Sequence, residues 1–296
     1  MVTLEAFYDE LRRLNATLER WAPAPELPPD WDATLAFRWQ GLGHRQPLKP
    51  IDRPQRLAMA DLLGIETQKE ILDRNTRQFL RGLPANNALL WGARGTGKSS
   101  LIKALLTAYA REGLRVVEVN RQHLVELPDI QEVLQDRPEK FILYCDDLAF
   151  EADDAGYKAL KAILEGSLSA LPDNLLIYAT SNRRHLLPEY AEENQQARWI
   201  EGELHMSEAV EEKISLSERF GVWLSFHAFN QEEYLAIVRH WLEKLGGIND
   251  WDTTRREALA YALLRGSRSG RIAWQFARDW AGRWGMKESG DGSFNA

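Results

Sequence analysis

The sequence predicts an α/β fold: a five-stranded parallel sheet covered by helices on both faces, followed by a small all-helical domain and preceded by a helical arm. Three observations carry this prediction. Five apolar runs of strand length are separated by helical stretches, the pattern becomes purely helical after Phe229, and prolines cut an initial helical seam off from the rest. Short strands alternating with helices argue for a parallel sheet buried on both sides. At 296 residues, the chain holds about two domains on a prior of roughly 150 residues each.

The chain opens on a helical seam. Leu4, Phe7, Leu11, Leu14, Leu18 and Trp21 recur at alternating steps of three and four, with Thr3 in capping position. The seam either docks on the body or pairs with another chain, although about three heptads is short for a coiled coil. Pro23, Pro25, Pro28 and Pro29 end it, and prolines and glycines then continue to Pro54. Residues 1–50 are therefore expected to form a helix and an irregular arm.

Residues 51–228 read as the α/β core. A helix is expected over 66–80, strands over 88–91, 114–119, 141–145, 175–179 and 222–226, and helices over 99–111, 123–135 and 155–171. Residues 229–285 read as the helical lid domain. Asn230 caps its first helix with Glu233 in the capping-box position, and Tyr234, Ile237, Val238, Trp241, Leu242 and Leu245 form one stripe. Two more helices are expected over 253–264 and 271–284. Residues 286–296, rich in glycine, serine and charge, are expected to be a flexible tail.

Composition narrows the function classes. Apolar residues at 44% and charged residues at 27% are ordinary globular usage, which excludes a disordered or fibrous polymer. With 37 basic against 44 acidic residues the net charge is −7. A field of that sign does not draw in DNA or an anionic membrane, local basic patches aside. No run approaches the roughly 18 apolar residues of a membrane span. The first ten residues carry acids where a secretory signal carries basic and apolar stretches. Cys145, the single cysteine, cannot close an intramolecular disulfide, so a cytoplasmic protein is expected.

The strongest motif is Gly92-Ala93-Arg94-Gly95-Thr96-Gly97-Lys98-Ser99, which matches the P-loop pattern G-x-x-x-x-G-K-[ST]. It follows an apolar strand and opens a helix with Leu101, Ala104, Leu105 and Ala108 on one face. Glycines let backbone N–H groups turn around an anion, and the helix N-terminus adds partial positive charge. Lys98 is expected to reach the β- and γ-phosphates of ATP, and Ser99 to ligate Mg²⁺. Residues 92–99 with Ser100 are thus the candidate nucleotide-binding loop.

A second motif completes the chemistry. Five apolar residues from Phe141 to Cys145 end in Asp146-Asp147, which puts two carboxylates at the sheet edge where α/β folds bind ligands. Asp146 is expected to hold Mg²⁺, usually through water, and Asp147 to orient or deprotonate the attacking water. The plain alternative for this pair is a helix cap.

With these motifs the chain resembles the AAA+ branch of P-loop ATPases over about residues 52–284. The run 175–182 resembles that branch's sensor 1 strand, with Asn182 near the γ-phosphate. The run 215–221 resembles the arginine-finger segment, which makes Arg219 the candidate; the alternative is a local ion pair. Residues 266–271 resemble sensor 2, with Arg271 the closer match and Arg268 its competitor. Leu62 to Ile65 resembles the segment that packs on adenine, which implicates Leu63 and Ile65. The wording at 90–100, 181–185 and 211–217 is closer still to a bacterial AAA+ family of uncharacterised ATP-binding proteins.

The resemblance implies a homo-oligomer, possibly of six subunits, in which Arg219 serves a neighbour's site. It also implies Mg-dependent ATP hydrolysis coupled to movement between core and lid. One departure matters: AAA+ proteins usually carry Asp-Glu where this chain has Asp146-Asp147, so Glu151 competes with Asp147 for the water-positioning role. If neither is well placed, the protein is instead a slow ATP-gated binding module, loader or adaptor.

The working partner, protein or nucleic acid, is not specified. Residues 120–124 offer no aromatic-glycine pair for polypeptide threading, and no Asn-Lys-x-Asp run reads guanine. The glutamate-rich stretch 183–213 reads as a solvated face or a partner contact. His185 and His205 lack a second ligand at metal spacing, and Cys145 reads as an inert buried thiol.

Overall fold

The computed structural model of the protein describes residues 8, 10–14, 17, 29–150, 154–165, 171–183, 186, 198–200, 203–205, 216–246 and 250–288. Its centre is a seven-stranded sheet made of β1 (Ala36–Trp39), β2 (Leu48–Pro50), β3 (Ala88–Gly92), β4 (Leu114–Glu118), β5 (Lys140–Cys145), β6 (Leu175–Ser181) and β9 (Val222–Phe226). The order is β2-β1-β4-β5-β6-β3-β9. All pairs are parallel except β1 with β2. A separate antiparallel hairpin joins β7 (Arg198–Ile200) and β8 (Glu203–His205).

The five strands expected from sequence are contiguous and parallel within this sheet. In β4, β5 and β6 the side chains are almost all buried on both faces, as the continuous apolar runs require, whereas β9 at the sheet edge leaves Trp223 exposed. Two clusters of buried side chains fill the two faces. One contains Leu90, Leu105, Tyr178 and the lid's Tyr234 and Phe276, and the other contains Leu89, Leu143, Ile177 and Leu160.

The expected irregular arm is corrected by β1 and β2, which extend the sheet at its β4 edge. Phe37 and Trp39 are fully buried while Arg38 between them is exposed and pairs with Glu118 of β4 at 2.8 Å. Only Phe37, Arg38 and Trp39 alternate, because Ala36 is buried as well, and so short an alternation is too little for a period to stand out. Tertiary contacts hold them in place: the Trp39 indole Nε1 donates to Glu126 at 2.7 Å, and Trp31 packs edge-on against Phe141. Of the N-terminal seam, residues 8, 10–14 and 17 are helical and Leu11 and Leu14 are exposed, so those two positions do not dock on the body. Thr3, Leu4, Phe7, Leu18 and Trp21 lie outside the described residues.

The helices around the sheet are α1 (Glu66–Leu80), α2 (Lys98–Tyr109), α3 (Leu127–Leu134) and α4 (Ala155–Glu165). The expected helix over 123–135 starts instead as a 3₁₀ turn, Arg121–Glu126, and becomes α-helical with Pro128 in its first turn, where a missing N–H does no harm. The lid consists of α5 (Gln231–Leu245), α6 (Trp251–Leu264) and α7 (Gly270–Glu288). Asn230 and Glu233 form both bonds of the capping box. Tyr234, Ile237, Val238 and Leu242 are buried, whereas Leu245 at the end of the stripe is exposed. Helix α7 continues through Glu288, so the tail expected from residue 286 is helical over its first three positions; residues 289–296 lie outside the described residues.

Candidate functional site

The loop 92–99 leaves the carboxyl edge of β3 and enters α2, and each glycine in it has a positive φ. Gly92 is dictated by β9: a Cβ there would lie 2.0 Å from the Phe226 carbonyl oxygen, which accepts the Ala93 N–H at 3.0 Å. Gly95 is dictated by the lid, because a Cβ there would meet Ser269 Oγ at 2.8 Å. Thr96 Oγ1 closes the loop on the Ala93 carbonyl at 2.8 Å.

Lys98 is buried at the mouth of this loop. Its Nζ donates to the carbonyls of Gly92 (2.8 Å) and Ala93 (2.7 Å) and to Asn182 Oδ1 (3.1 Å). Burial pulls the ammonium down to about 8, against the pull of the Asp147 and Asp146 carboxylates, while Arg271 and Arg94 repel it.

The acidic pair sits opposite. Asp146 Oδ1 accepts from Ser99 Oγ at 2.8 Å and from Thr180 Oγ1 at 2.6 Å. Burial pushes this carboxyl up, but the hydroxyl donors around it prevail and hold it below the usual carboxylate range. Asp147 has φ 51°, the one positive φ outside glycine among the described residues. An aspartate tolerates that region at a cost of about 1 kcal/mol or more. Its N–H donates to Thr180 Oγ1 at 2.9 Å, and its carboxylate accepts from Asn182 Nδ2.

These groups face one cavity of about 760 Å³ between the sheet edge and the lid. Its polar lining includes Lys98, Ser99, Asp146, Asp147, Asn182 and Arg271, with Gln55, Arg56, Asp61, Lys103 and Thr180 beside them. Its apolar lining includes Leu63, Ile65, Phe229, Ile237, Trp241 and Trp274. The lid touches the loop directly, since the Gly270 N–H at the start of α7 donates to the Gly95 carbonyl at 2.9 Å. Arg94, Gly95, Thr96, Gly97 and Ser100 also border the cavity; Arg268 does not.

Glu151 lies outside the described residues. Arg219 does not line the cavity and forms an ion pair with Glu165 of α4. The arrangement also contains residues that motif reading missed. Thr180 bridges the acidic pair, and Trp241, which packs against the core as its place in the apolar stripe predicts, borders the cavity as well. Asp61, before α1, accepts from His240 Nε2 at 3.0 Å and from Lys244, both on α5. No local signal announces that bridge, because its ends are 179 residues apart. Cys145 is fully buried, and burial pushes its thiol up to about 12, the behaviour of an inert thiol. His185 lies outside the described residues, and His205 falls in β8.

The parallel sheet, the glycine loop running into a helix and the C-terminal helices together define a P-loop NTPase fold of the AAA+ type. Solved structures bear out that fold. A point variant of Thermotoga maritima RuvB matches with a TM-score of 0.54 at 15% identity, over 78% of this chain and 66% of that one. The Thermotoga maritima RuvB Holliday junction branch migration motor matches with a TM-score of 0.50 at 16% identity; 75% of this chain is covered, but only 63% of RuvB's own length. The FIGL-1 AAA domain in complex with ADP matches with a TM-score of 0.50 at 16% identity, over 81% and 77% of the two chains. The family model described as Protein of unknown function (DUF815) matches residues 32–284, and the chain belongs to that family. No curated protein matches it. Among the described residues, no helix is long and apolar enough to cross a membrane.

Proposed function

We propose that the protein is a cytoplasmic, Mg²⁺-dependent ATPase whose nucleotide state moves the lid, residues 229–285, against the α/β core. One observation carries this reading: Lys98, the Ser99–Asp146 pair, Asp147 with Asn182, and Arg271 converge on one cavity that Leu63, Ile65, Phe229, Ile237, Trp241 and Trp274 line as well. A nucleoside triphosphate has that same division, a polyanion joined to a flat apolar base. The backbone of residues 92–99 and the start of α2 suit the phosphates, and Trp241 and Ile237 suit the base.

The donor set also fits Mg²⁺. Asp146 is kept ionised and Ser99 adds a hydroxyl, and this hard ion is commonly held by one or two carboxylates, water and phosphate oxygens. When bound, the ion would neutralise charge developing on the phosphates. Asp147 is assigned the water-orienting role and Asn182 the contact that reports the terminal phosphate. Arg271 would carry that report to the lid, because its helix already rests on Gly95. Arg219 is assigned to the site of a neighbouring copy in a ring or spiral of roughly six subunits, a heterologous assembly. The partner that such an assembly acts on, protein or nucleic acid, is left to experiment.

A second reading has an observation in its favour. Aspartate is one methylene shorter than glutamate, and the Asp147 carboxylate is engaged by Asn182, which suits a slow ATP-gated binding module. Steady-state phosphate release separates the two readings. Turnover that rises with protein concentration and collapses in Arg219→Ala is expected of the assembled ATPase. A rate near background, indifferent to concentration, overturns that reading in favour of the gated module.

A further inference from the structure

Strand β6 reaches beyond its neighbour. The last pair between β5 and β6 is Cys145 with Ala179, so Thr180 stands beside the turn where Asp146 and Asp147 leave the sheet. There it is 1% exposed. A hydroxyl has one proton to give and lone pairs to accept with, and Thr180 uses both. A carboxylate held ionised can only accept, so the proton goes to Asp146 Oδ1 at 2.6 Å. An amide can only donate, so a lone pair takes the Asp147 N–H at 2.9 Å. The Thr180 carbonyl adds a bond from the Leu148 N–H at 2.7 Å, and Ser181 Oγ donates to the Leu148 carbonyl at 2.7 Å. The turn 146–148 is therefore clamped to β6 by four hydrogen bonds, two of them from one β-branched side chain with restricted χ1 freedom.

We propose that Thr180 is a positioning residue for the acidic pair: one hydroxyl holds the Asp146 carboxylate against Ser99 and locks the left-handed turn that brings Asp147 to Asn182. This rests on the nucleotide reading above and adds to it how an aspartate, with its short side chain, is brought to a place usually held by glutamate. Removing the hydroxyl loosens both residues at once, the first at its carboxylate and the second at its backbone. Asp146 loses a donor, and Asp147 loses the bond that compensates its unfavourable φ.

Thr180→Val keeps the shape and deletes the hydroxyl, while Thr180→Ser keeps the hydroxyl. Binding of a fluorescent ADP is measured in EDTA and across a magnesium titration, together with phosphate release. Thr180→Val is expected to bind ADP in EDTA within about twofold of wild type. Its magnesium half-saturation should rise, and its kcat fall, by about ten- to hundredfold, the range for a hydrogen bond to an ionised group. Thr180→Ser should restore both.

In the nucleotide-free protein, hydrogen exchange at the Asp147 amide should quicken in Thr180→Val and not in Thr180→Ser. If the valine variant does not fold, Thr180→Ala carries the same measurements. A hydroxyl-free variant with wild-type magnesium dependence and unchanged Asp147 exchange overturns the positioning role alone. Wild-type protein that binds no ADP overturns the nucleotide reading and this role with it.

Discussion

Residues 94–100 supply much of the cavity's polar lining as one uninterrupted segment, joined by Asp146, Asp147, Thr180 and Asn182 from the neighbouring strand tips. The apolar end draws on Leu63 and Ile65 before α1, Phe229 before α5, Ile237 and Trp241 on α5, and Trp274 on α7. The first rests mostly on strand tips and the loop, with Arg271 of α7 added to it. The second is shared between the segment before α1 and the helices α5 and α7. Under the proposed movement of those helices, the apolar lining would change more than the polar one. Each end should fail in its own way when it is altered.

The largest effect is expected at the polar end. Lys98 is the buried cation there, and Lys98→Ala should weaken ADP and ATP binding by roughly a hundredfold or more, since a charged hydrogen bond contributes about 1.5–3 kcal/mol and the phosphates have several charges to satisfy. Calorimetric titration reads the loss directly. The same lysine gives a pH signature. Its folded value near 8 lies below the ordinary 10.5, so between about pH 8 and 10.5 the unfolded chain binds more protons than the folded one. Ligand-free stability should then rise with pH across that window relative to Lys98→Ala. Nucleotide affinity should do the reverse, falling up to tenfold per unit above pH 8 as the ammonium deprotonates. Parallel melting and binding series from pH 7 to 10 check both signs, and an affinity flat across the range contradicts the assignment.

A smaller and differently shaped loss is expected at the apolar end. Trp241 packs edge-on against Trp274 with centroids 4.5 Å apart. Trp241→Ala removes that pair and a wall of the cavity, worth about tenfold in affinity by the usual scale of aromatic contacts. The loss should be equal for ADP and ATP, because the changed wall lies away from the phosphate-facing groups. Fluorescent-nucleotide titrations with both ligands test this, and an effect confined to ATP would show that the two ends are not separable.

The contrast between the two ends also governs how much could be read before folding. The glycine loop and Asp146-Asp147 are contiguous motifs, so chemistry forces their spacing into the sequence. The inner strands β4, β5, β6 and β3 were legible because burial on both faces leaves unbroken apolar runs, and β9 at the edge was legible from its short apolar run alone. By contrast, β1 alternates only over Phe37, Arg38 and Trp39, and its place depends on Glu118 and Glu126, far along the chain. Trp241 sits at helical spacing within an apolar stripe, and nothing local distinguishes a core tryptophan from one that walls a cavity. Thr180 lay inside a recognised strand, but its role depends on the strand reaching one residue past its neighbour, a matter of register that period-two patterning does not encode. The lid residues that close the apolar end become neighbours only through tertiary packing.

The smallest expected effect concerns a residue that belongs to neither end. Arg219 is held by Glu165 within its own protomer, with both side chains partly exposed. For Arg219 to serve a neighbouring copy, this pair must open first. Exposed ion pairs contribute only about 0–1 kcal/mol, so the pair is a weak restraint. Glu165→Gln should therefore lower the protein concentration needed for half-maximal turnover by only about twofold, with kcat at saturating protein unchanged. Raising salt should shrink even that difference, because the wild-type pair is then screened as well. A concentration dependence identical to wild type at low salt would mean that Arg219 leaves Glu165 without measurable resistance. A fall in kcat would mean that Glu165 acts on the chemistry itself.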